Sequence, residues 1–213
     1  MRNPISERSR SRATALVRAR YNHMAPLFDF VERGGGERLR QWRVMLWSKV
    51  EPCNILEAGV GTGANFPFYP GGSKVTAIDL SAAMLRRASE KASRLKVDVS
   101  LEEMDVQALQ FPDNAFDAVV ATLVFCAVPD PIRGLAEMKR VCKPGCKATF
   151  LEHVRSSNAV LGPVMDFFNP LMFWTVGDNF NRKTVENVAQ SGFTIEKVTD
   201  LTGIFKLIEA RKP

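Results

Sequence analysis

A chain of 213 residues buries roughly 70% of its unfolded surface on folding, enough for one sheet covered on both faces. Its 46% apolar and 24% charged residues are ordinary for a globular protein and exclude a disordered or fibrous chain, and no stretch reaches the ~20 apolar residues of a membrane-spanning helix. The formal charge of +6 is placed unevenly: residues 1–50 hold eleven Lys/Arg against four Asp/Glu, while residues 51–213 hold eighteen against nineteen.

Residues 5–31 and 37–50 are expected to be helical, broken at Gly34-Gly35-Gly36. The first twenty residues hold six arginines, and the first helix has Ile5, Ala13, Leu16 and Val17 as a partly apolar face. Such an arm can meet nucleic acid, anionic lipid or only solvent. With Tyr21 the one aromatic before Phe28 and no RNA-binding signature in the chain, nucleic acid has the least support. An amphipathic helix on an anionic membrane surface stays open beside plain solvated charge. In the second helix Leu39, Trp42, Leu46 and Val50 recur at helical spacing.

The most informative stretch is Asn54-Ile-Leu-Glu57-Ala-Gly59-Val-Gly61-Thr-Gly63, an apolar run that stops at an acid and breaks into alternating glycines. A second apolar run, Val75 to Ile78, ends on Asp79. This is the layout of a nucleoside held at the carboxyl ends of two parallel strands. Read literally, Gly59-x-Gly61-x-x-Ala64 also satisfies the dinucleotide fingerprint. Glu57 lies where a pyrophosphate would sit, about fifty residues precede the strand, and a third acid, Asp105, comes after Val99-Ser-Leu-Glu-Glu-Met104. Three carboxylates suit a ligand with a cationic amino group, a ribose diol and an exocyclic amine. S-adenosylmethionine has all three and no phosphate. No Gly-Lys-Ser/Thr succeeds the glycines, so a P-loop is excluded.

Strands are expected near 53–58, 74–79, 98–104, 116–122 and 147–153. Ser81 caps a helix whose Leu85, Ala88, Ala92 and Leu95 face the core, and Pro131 starts another that ends before Lys143-Pro144-Gly145. The chain closes with a helix at 182–191 and strands at 193–199 and 204–211, joined by a hairpin at Gly203. Alternating strands and helices predict a doubly wound α/β sheet. The segment from Ala159 to Trp174 is more apolar than a surface loop needs to be, and Pro163 and Pro170 argue against one continuous helix. It reads either as a core helix pair with buried aromatics, or as a lipophilic pocket wall or a surface dipping into a bilayer. Cys53, Cys126, Cys142 and Cys146 lack paired C-x-x-C spacing and histidine companions, so zinc is not expected and they read as reduced thiols of a cytoplasmic protein. The charged N-terminus without an apolar core gives no signal-peptide pattern.

Several of these stretches, in order, resemble the class I S-adenosylmethionine-dependent methyltransferases over residues 51–155 and more loosely to the end. They are Leu56-Glu57-Ala-Gly59-Val-Gly61-Thr-Gly63, Ala77-Ile-Asp79-Leu80-Ser81-Ala-Ala-Met84-Leu85, Met104-Asp105-Val106-Gln107, Phe111-Pro112-Asp113 with Phe116-Asp117, and Arg140 to Gly145. Cys146 departs from the commoner glycine. The resemblance implies a Rossmann-like, mostly parallel seven-stranded sheet with an antiparallel C-terminal hairpin. It implies a helical cap over 1–50, a core over 51–213, and a substrate-cap insert near 156–181. Implied cofactor contacts are Glu57, Gly59, Gly61, Gly63, Asp79, Leu80, Met84, Asp105 and Val106, with Asp79 on the ribose and Asp105 on the adenine amine.

Tyr21-Asn-His23-Met-Ala-Pro26-Leu-Phe-Asp29, Phe125 to Pro131 and Phe150-Leu-Glu152-His153-Val154 resemble one branch of that family. It holds quinone C-methyltransferases, bacterial phosphatidylethanolamine N-methyltransferases and membrane-associated thiol methyltransferases. The implied acceptor is a small or lipidic hydrophobic molecule. His153 is the candidate base and Tyr21 the candidate for closing over the cofactor or orienting the acceptor. An NAD(P)-dependent oxidoreductase and a non-catalytic membrane-surface module are the alternatives. A cytoplasmic protein, peripheral on the inner membrane face, is the expected location.

Overall fold

The computed structural model describes residues 7–34, 36–175 and 179–213, with the side chains of 29, 31–34 and 171–175 outside the description. Two helices, α1 (Glu7–Gly34) and α2 (Gly36–Trp47), lead into β1 (Asn54–Ala58) and β2 (Lys74–Asp79). Then come α3 (Ala82–Leu95), β3 (Ser100–Glu103), β4 (Phe116–Thr122), α4 (Pro131–Val141) and β5 (Cys142–His153). The chain finishes with α5 (Leu161–Thr175), α6 (Thr184–Gln190), β6 (Thr194–Asp200) and β7 (Phe205–Arg211).

The seven strands form one sheet in the order β3-β2-β1-β4-β5-β7-β6. β1 pairs in parallel with β2 (Ile55 opposite Val75) and with β4 (Leu56 opposite Val119), and β7 runs antiparallel between β5 and β6. Side chains alternate across this sheet as a period of two requires. Ile55, Val75, Val120 and Leu151 pack with Leu46, Trp47 and Val50 at the end of α2 and just beyond it, on one face. Leu56, Val119, Ala121 and Phe150 pack with Leu135 and Met138 of α4 and Val188 of α6 on the other. Ala88 and Ala92 of α3 cover Ala77 of β2. Each such buried aliphatic side chain contributes about 1.5–3 kcal/mol. Buried on both faces, the inner strands read as continuous apolar runs, which is why they stand out in the sequence.

The N-terminal helices cover the carboxyl ends of the strands. Asn22 of α1 accepts from the Ser81 hydroxyl (2.7 Å) and the Ala83 N–H (3.2 Å), tying α1 to the start of α3. Arg140 donates to the Leu109 and Phe111 carbonyls at 2.9 Å each, holding the turn before β4 on α4.

Several expectations are corrected. The insert is one helix, α5, because Pro163 falls in the first turn, where no intrahelical N–H is needed, and Pro170 is carried inside. Phe167 and Phe168 are 78% and 50% exposed, so the reading of a core pair with buried aromatics fails for them. Leu171 to Trp174 of that segment, and Ile5 of the arm's apolar face, lie outside the described residues or side chains. Leu95 is exposed at the end of α3, where Lys96 takes a left-handed cap and returns its N–H to the Ala92 and Ser93 carbonyls. β5 begins at Cys142 rather than 147, across an irregularity in its pairing with β4. There Cys142 and Cys146 are joined as a disulfide, their Cα atoms 5.6 Å apart, against the expectation of four reduced thiols.

Candidate cofactor and acceptor site

β1 and β4 lie side by side while their connections run to opposite sides, and a crevice opens at their carboxyl ends. A cavity of about 330 Å³ occupies it. Its floor is the turn after β1. Gly59 and Gly61 have φ of +69° and +55°, a backbone that L side chains rarely adopt, and a Cβ on Gly59 would lie 2.3 Å from Val124. The turn leads into a single 3₁₀ turn, Phe66–Phe68, not an α-helix. The Gly61 N–H is already given to Asp79 Oδ2 at 2.9 Å. A dinucleotide pyrophosphate needs an α-helix N-terminus and free loop amides at this point, but a 3₁₀ turn follows and the Gly61 amide is engaged. The literal fingerprint match therefore lacks its structural context.

Asp79 ends β2 at the cavity wall and also accepts the Ser81 N–H at 2.8 Å. Burial raises its pKa, opposed by these backbone donors. Asp105 lines the cavity beside Val106 and accepts from the Gln107 backbone N–H (2.9 Å), the Gln107 side chain (3.0 Å) and Thr14 of α1 (3.4 Å). Leu80 also lines it. Glu57, Gly63 and Met84 do not. Glu57 is wholly buried one layer behind, accepting from Asn65 Nδ2 at 2.5 Å and from the Tyr69 hydroxyl. Burial pushes its pKa up to about 7 despite those donors and the charge of Arg43. Met84 is wholly buried, and a Cβ on Gly63 would strike the Phe66 ring. The expected ring of three carboxylates is thus two in the wall and one behind it.

Residues that the sequence did not single out complete the wall. Thr62 Oγ1 and Asn65 Oδ1 are buried, and each lacks a hydrogen-bond partner among the described residues. Arg43 of α2 is 7% exposed and lines the same cavity. Asn65 carried one signal, its place eight residues after the strand-end acid; Arg43 carried none, since it falls among exposed arginines.

At the far end stands His153, closing β5. Its ring meets Phe180 and Phe205 edge to face, at 4.8 and 5.2 Å between centroids. Burial lowers its pKa to about 4, and Nδ1 has no hydrogen-bond partner among the described residues. The neighbouring Glu152 carboxylate accepts from the Val124 (3.0 Å) and Phe125 N–H groups, securing a turn in which Leu123 has φ +57°. Tyr21, Met24 and Phe28 of α1 and Leu39 of α2 close the cavity from above. His23 is exposed and outside it. Among the described residues no three metal-ligating side chains cluster.

Fold and site define a nucleoside-binding protein of the doubly wound class, built for a ligand without phosphate. Residues 56–150 match the family described as "Methyltransferase domain". The chain is 40% identical over 112 residues to a phosphatidylethanolamine N-methyltransferase of Cereibacter sphaeroides, covering 52% of this chain and 55% of that one. It is 39% identical over 145 residues to thiol S-methyltransferase TMT1B of Mus musculus (66% and 59% covered), and 33% over 139 residues to a demethylmenaquinone methyltransferase of Thermus thermophilus (62% and 63%). The chain thus spans between 55% and 63% of the length of these curated relatives. In fold it is similar to the [4+2]-cyclase SpnF, with TM-score 0.68 at 19% identity, covering 83% of this chain and 80% of that one. Over residues 56–150 the chain thus matches the methyltransferase domain, and it is similar to S-adenosylmethionine-dependent methyltransferases, among them amine, thiol and quinone enzymes.

The residues present fit that cofactor. Thr62 and Asn65, each with a buried side-chain oxygen that has no partner among the described residues, line the cavity, a glycine cradle leaves room for close backbone approach, and the Asp79 and Asp105 carboxylates in the wall are acceptors for hydroxyl and amine donors.

Proposed function

We propose that this protein transfers the methyl group of S-adenosylmethionine to a small or lipidic hydrophobic acceptor: a phospholipid amine, a thiol or a quinol. The observation that carries this reading is one cavity running from Asp79 and Asp105 to His153, apolar over most of its wall and ending at an imidazole whose Nδ1 has no hydrogen-bond partner among the described residues.

S-adenosylmethionine supplies a methyl group on a cationic sulfur, so positive charge disappears as the new bond forms. The apolar wall of Tyr21, Met24, Phe28 and Phe205 excludes water that would hold the ground-state charge. In this reading Asp79 accepts from the ribose hydroxyls and Asp105 from the adenine amine, while Leu80 and Val106 flank the base. Gly59, Gly61 and Gly63 shape the turn. Glu57 supports it through Asn65, and Met84 packs beneath. His153 lines the cavity and is held neutral at pH 7 by burial, so its imidazole can accept a proton from the acceptor. As the acceptor's lone pair bonds to carbon, its N–H or S–H proton becomes acidic, and His153 takes it. Tyr21 closes over the bound pair. Residues 1–50 act as a cap on a core of 51–213. The basic arm and the apolar insert near 156–181 support a peripheral location on the inner membrane face, and no helix among the described residues is long and apolar enough to cross a membrane.

The test is incubation with methyl-labelled S-adenosylmethionine and a total lipid and metabolite extract, followed by identification of the labelled product. A labelled phospholipid, thioether or quinol is expected. No label above that of the His153→Ala variant in any fraction overturns the proposal.

A further inference from the structure

Arg43 is the only Lys or Arg among the described residues that line the cavity, and at 7% exposure it is a buried cation. A guanidinium taken out of water destabilises the fold unless an anion and hydrogen bonds compensate it. Two ring contacts on α2 fix its place. Arg40, one turn earlier, lies over the Phe68 ring at 5.9 Å from its centroid, and Trp47, one turn later, meets the Tyr69 ring at 4.8 Å. At spacings of three and four, the three side chains share one face of α2, so Arg43 is held against the segment that runs from Asn65 to Tyr69. Its charge reaches Glu57 behind that segment: burial raises the Glu57 pKa, and Arg43 works against the rise together with the Tyr69 and Asn65 donors.

Asn65 supplies a complementary group. Its Nδ2 is committed twice, to Glu57 Oε1 at 2.5 Å and to the Thr122 hydroxyl at 3.1 Å. These bonds orient the amide, so that Oδ1 is the atom left over. It is buried, has no hydrogen-bond partner among the described residues, and can only accept.

We propose that Arg43 and Asn65 read the amino-acid end of the cofactor, the guanidinium taking its carboxylate and the amide oxygen its ammonium. This deepens the reading of the ligand as S-adenosylmethionine and rests on it. That molecule carries positive charge on its sulfur and its amino group, and its carboxylate is its one anion. The other charged side chains described in the wall are Asp79 and Asp105, so a cation placed among them matches that anion and no other part of the ligand. The guanidinium fork presents two parallel N–H donors, the geometry a carboxylate accepts. Glu57 and Thr122 are positioning residues, which act by turning the Asn65 oxygen toward use. The pair distinguishes the intact cofactor from shortened sulfur nucleosides that share its adenosine.

The experiment is titration calorimetry of the whole chain with S-adenosylhomocysteine, its decarboxylated form and 5′-methylthioadenosine. All three are adenosine thioethers, and they lose first the carboxylate and then the amino group. The natural chain should bind S-adenosylhomocysteine about tenfold to a hundredfold more tightly than the decarboxylated form, the size of a buried charge-assisted contact. Arg43→Met should erase that preference while leaving the Kd of 5′-methylthioadenosine within about twofold, and Arg43→Lys should restore part of it. Asn65→Ala should narrow the gap between the decarboxylated form and 5′-methylthioadenosine instead. Equal binding of S-adenosylhomocysteine and its decarboxylated form by the natural chain overturns the proposal, and that comparison needs no variant to fold. An Arg43→Met protein of unchanged melting temperature that loses all three ligands equally also overturns it, because the arginine then only supports the turn. So does one that keeps the full preference, because the guanidinium then serves another anion. If the natural chain binds neither S-adenosylmethionine nor any of the three, the cofactor reading itself fails; binding of all without preference removes the amino-acid contacts alone.

Discussion

Asp79 and Gly61 are eighteen residues apart in the chain and joined by a 2.9 Å hydrogen bond, so the acid that ends β2 holds the glycine turn after β1. One carboxylate thereby shapes the floor of the cavity and stands in its wall.

Asp79→Ala should therefore weaken S-adenosylmethionine binding twice over, by removing the carboxylate proposed to accept from the ribose and by releasing the turn. Two charge-assisted hydrogen bonds at about 1.5–3 kcal/mol each predict a rise in Kd of about a hundredfold or more, read by titration calorimetry. A rise below about threefold would show that the carboxylate is structural only.

Gly59→Ala and Gly203→Ala separate crowding from backbone strain. Both glycines have positive φ, but a Cβ on Gly59 meets Val124 at 2.3 Å whereas one on Gly203 meets nothing. Gly203→Ala should cost about 1–2 kcal/mol from the left-handed backbone alone. Gly59→Ala should cost more, lowering Tm by roughly 5–10 °C and impairing cofactor binding. Equal melting losses in a thermal scan would refute the crowding argument.

His153→Ala should lower kcat by about 10²–10⁴-fold with little change in cofactor affinity. Because burial holds the histidine near 4, the rate on the acid side should stay flat down to about pH 5 rather than falling near 6.5. Phe205→Ala, which admits water to the ring, should move the imidazole titration seen by NMR upward toward its ordinary value. An acid limb at 6.5 in the natural enzyme would contradict the dry pocket.

Glu57 sets a pH dependence of stability. Its folded pKa, about 7, lies above the ordinary carboxyl value of 4.5, so the fold favours the protonated form. The ionisation penalty is absent below about pH 4.5, grows between 4.5 and 7 and is complete above 7, amounting to about 3 kcal/mol. Glu57→Gln removes the titration, so denaturant melts should show the natural chain losing ground to the variant as pH rises from 5 to 8. Parallel stability curves over that window would place the proton elsewhere.

The amino-acid order by itself determined the sheet and its cofactor edge. Inner strands buried on both faces must be apolar runs, and positive φ at close approach demands glycine, so β1, β2, the turn at Gly59–Gly61 and Asp79 are local signals. Asp105, Leu80 and Val106 were legible for the same reason, each standing just past a strand end. Tertiary structure decided what depends on which residues meet. Glu57 left the cavity wall because Asn65 and Tyr69 reach it from a 3₁₀ turn, and Arg43 entered because α2 folds over the crevice. His153 lost its charge to Phe180 and Phe205, one from the insert and one from the last hairpin. Phe167 and Phe168 of the insert are exposed, while Arg155 and Asn181 hold Asp166 and Asn179 holds Asn169. A hydrophobic count records how much apolar surface a helix has; only its packed neighbours decide which way that surface points.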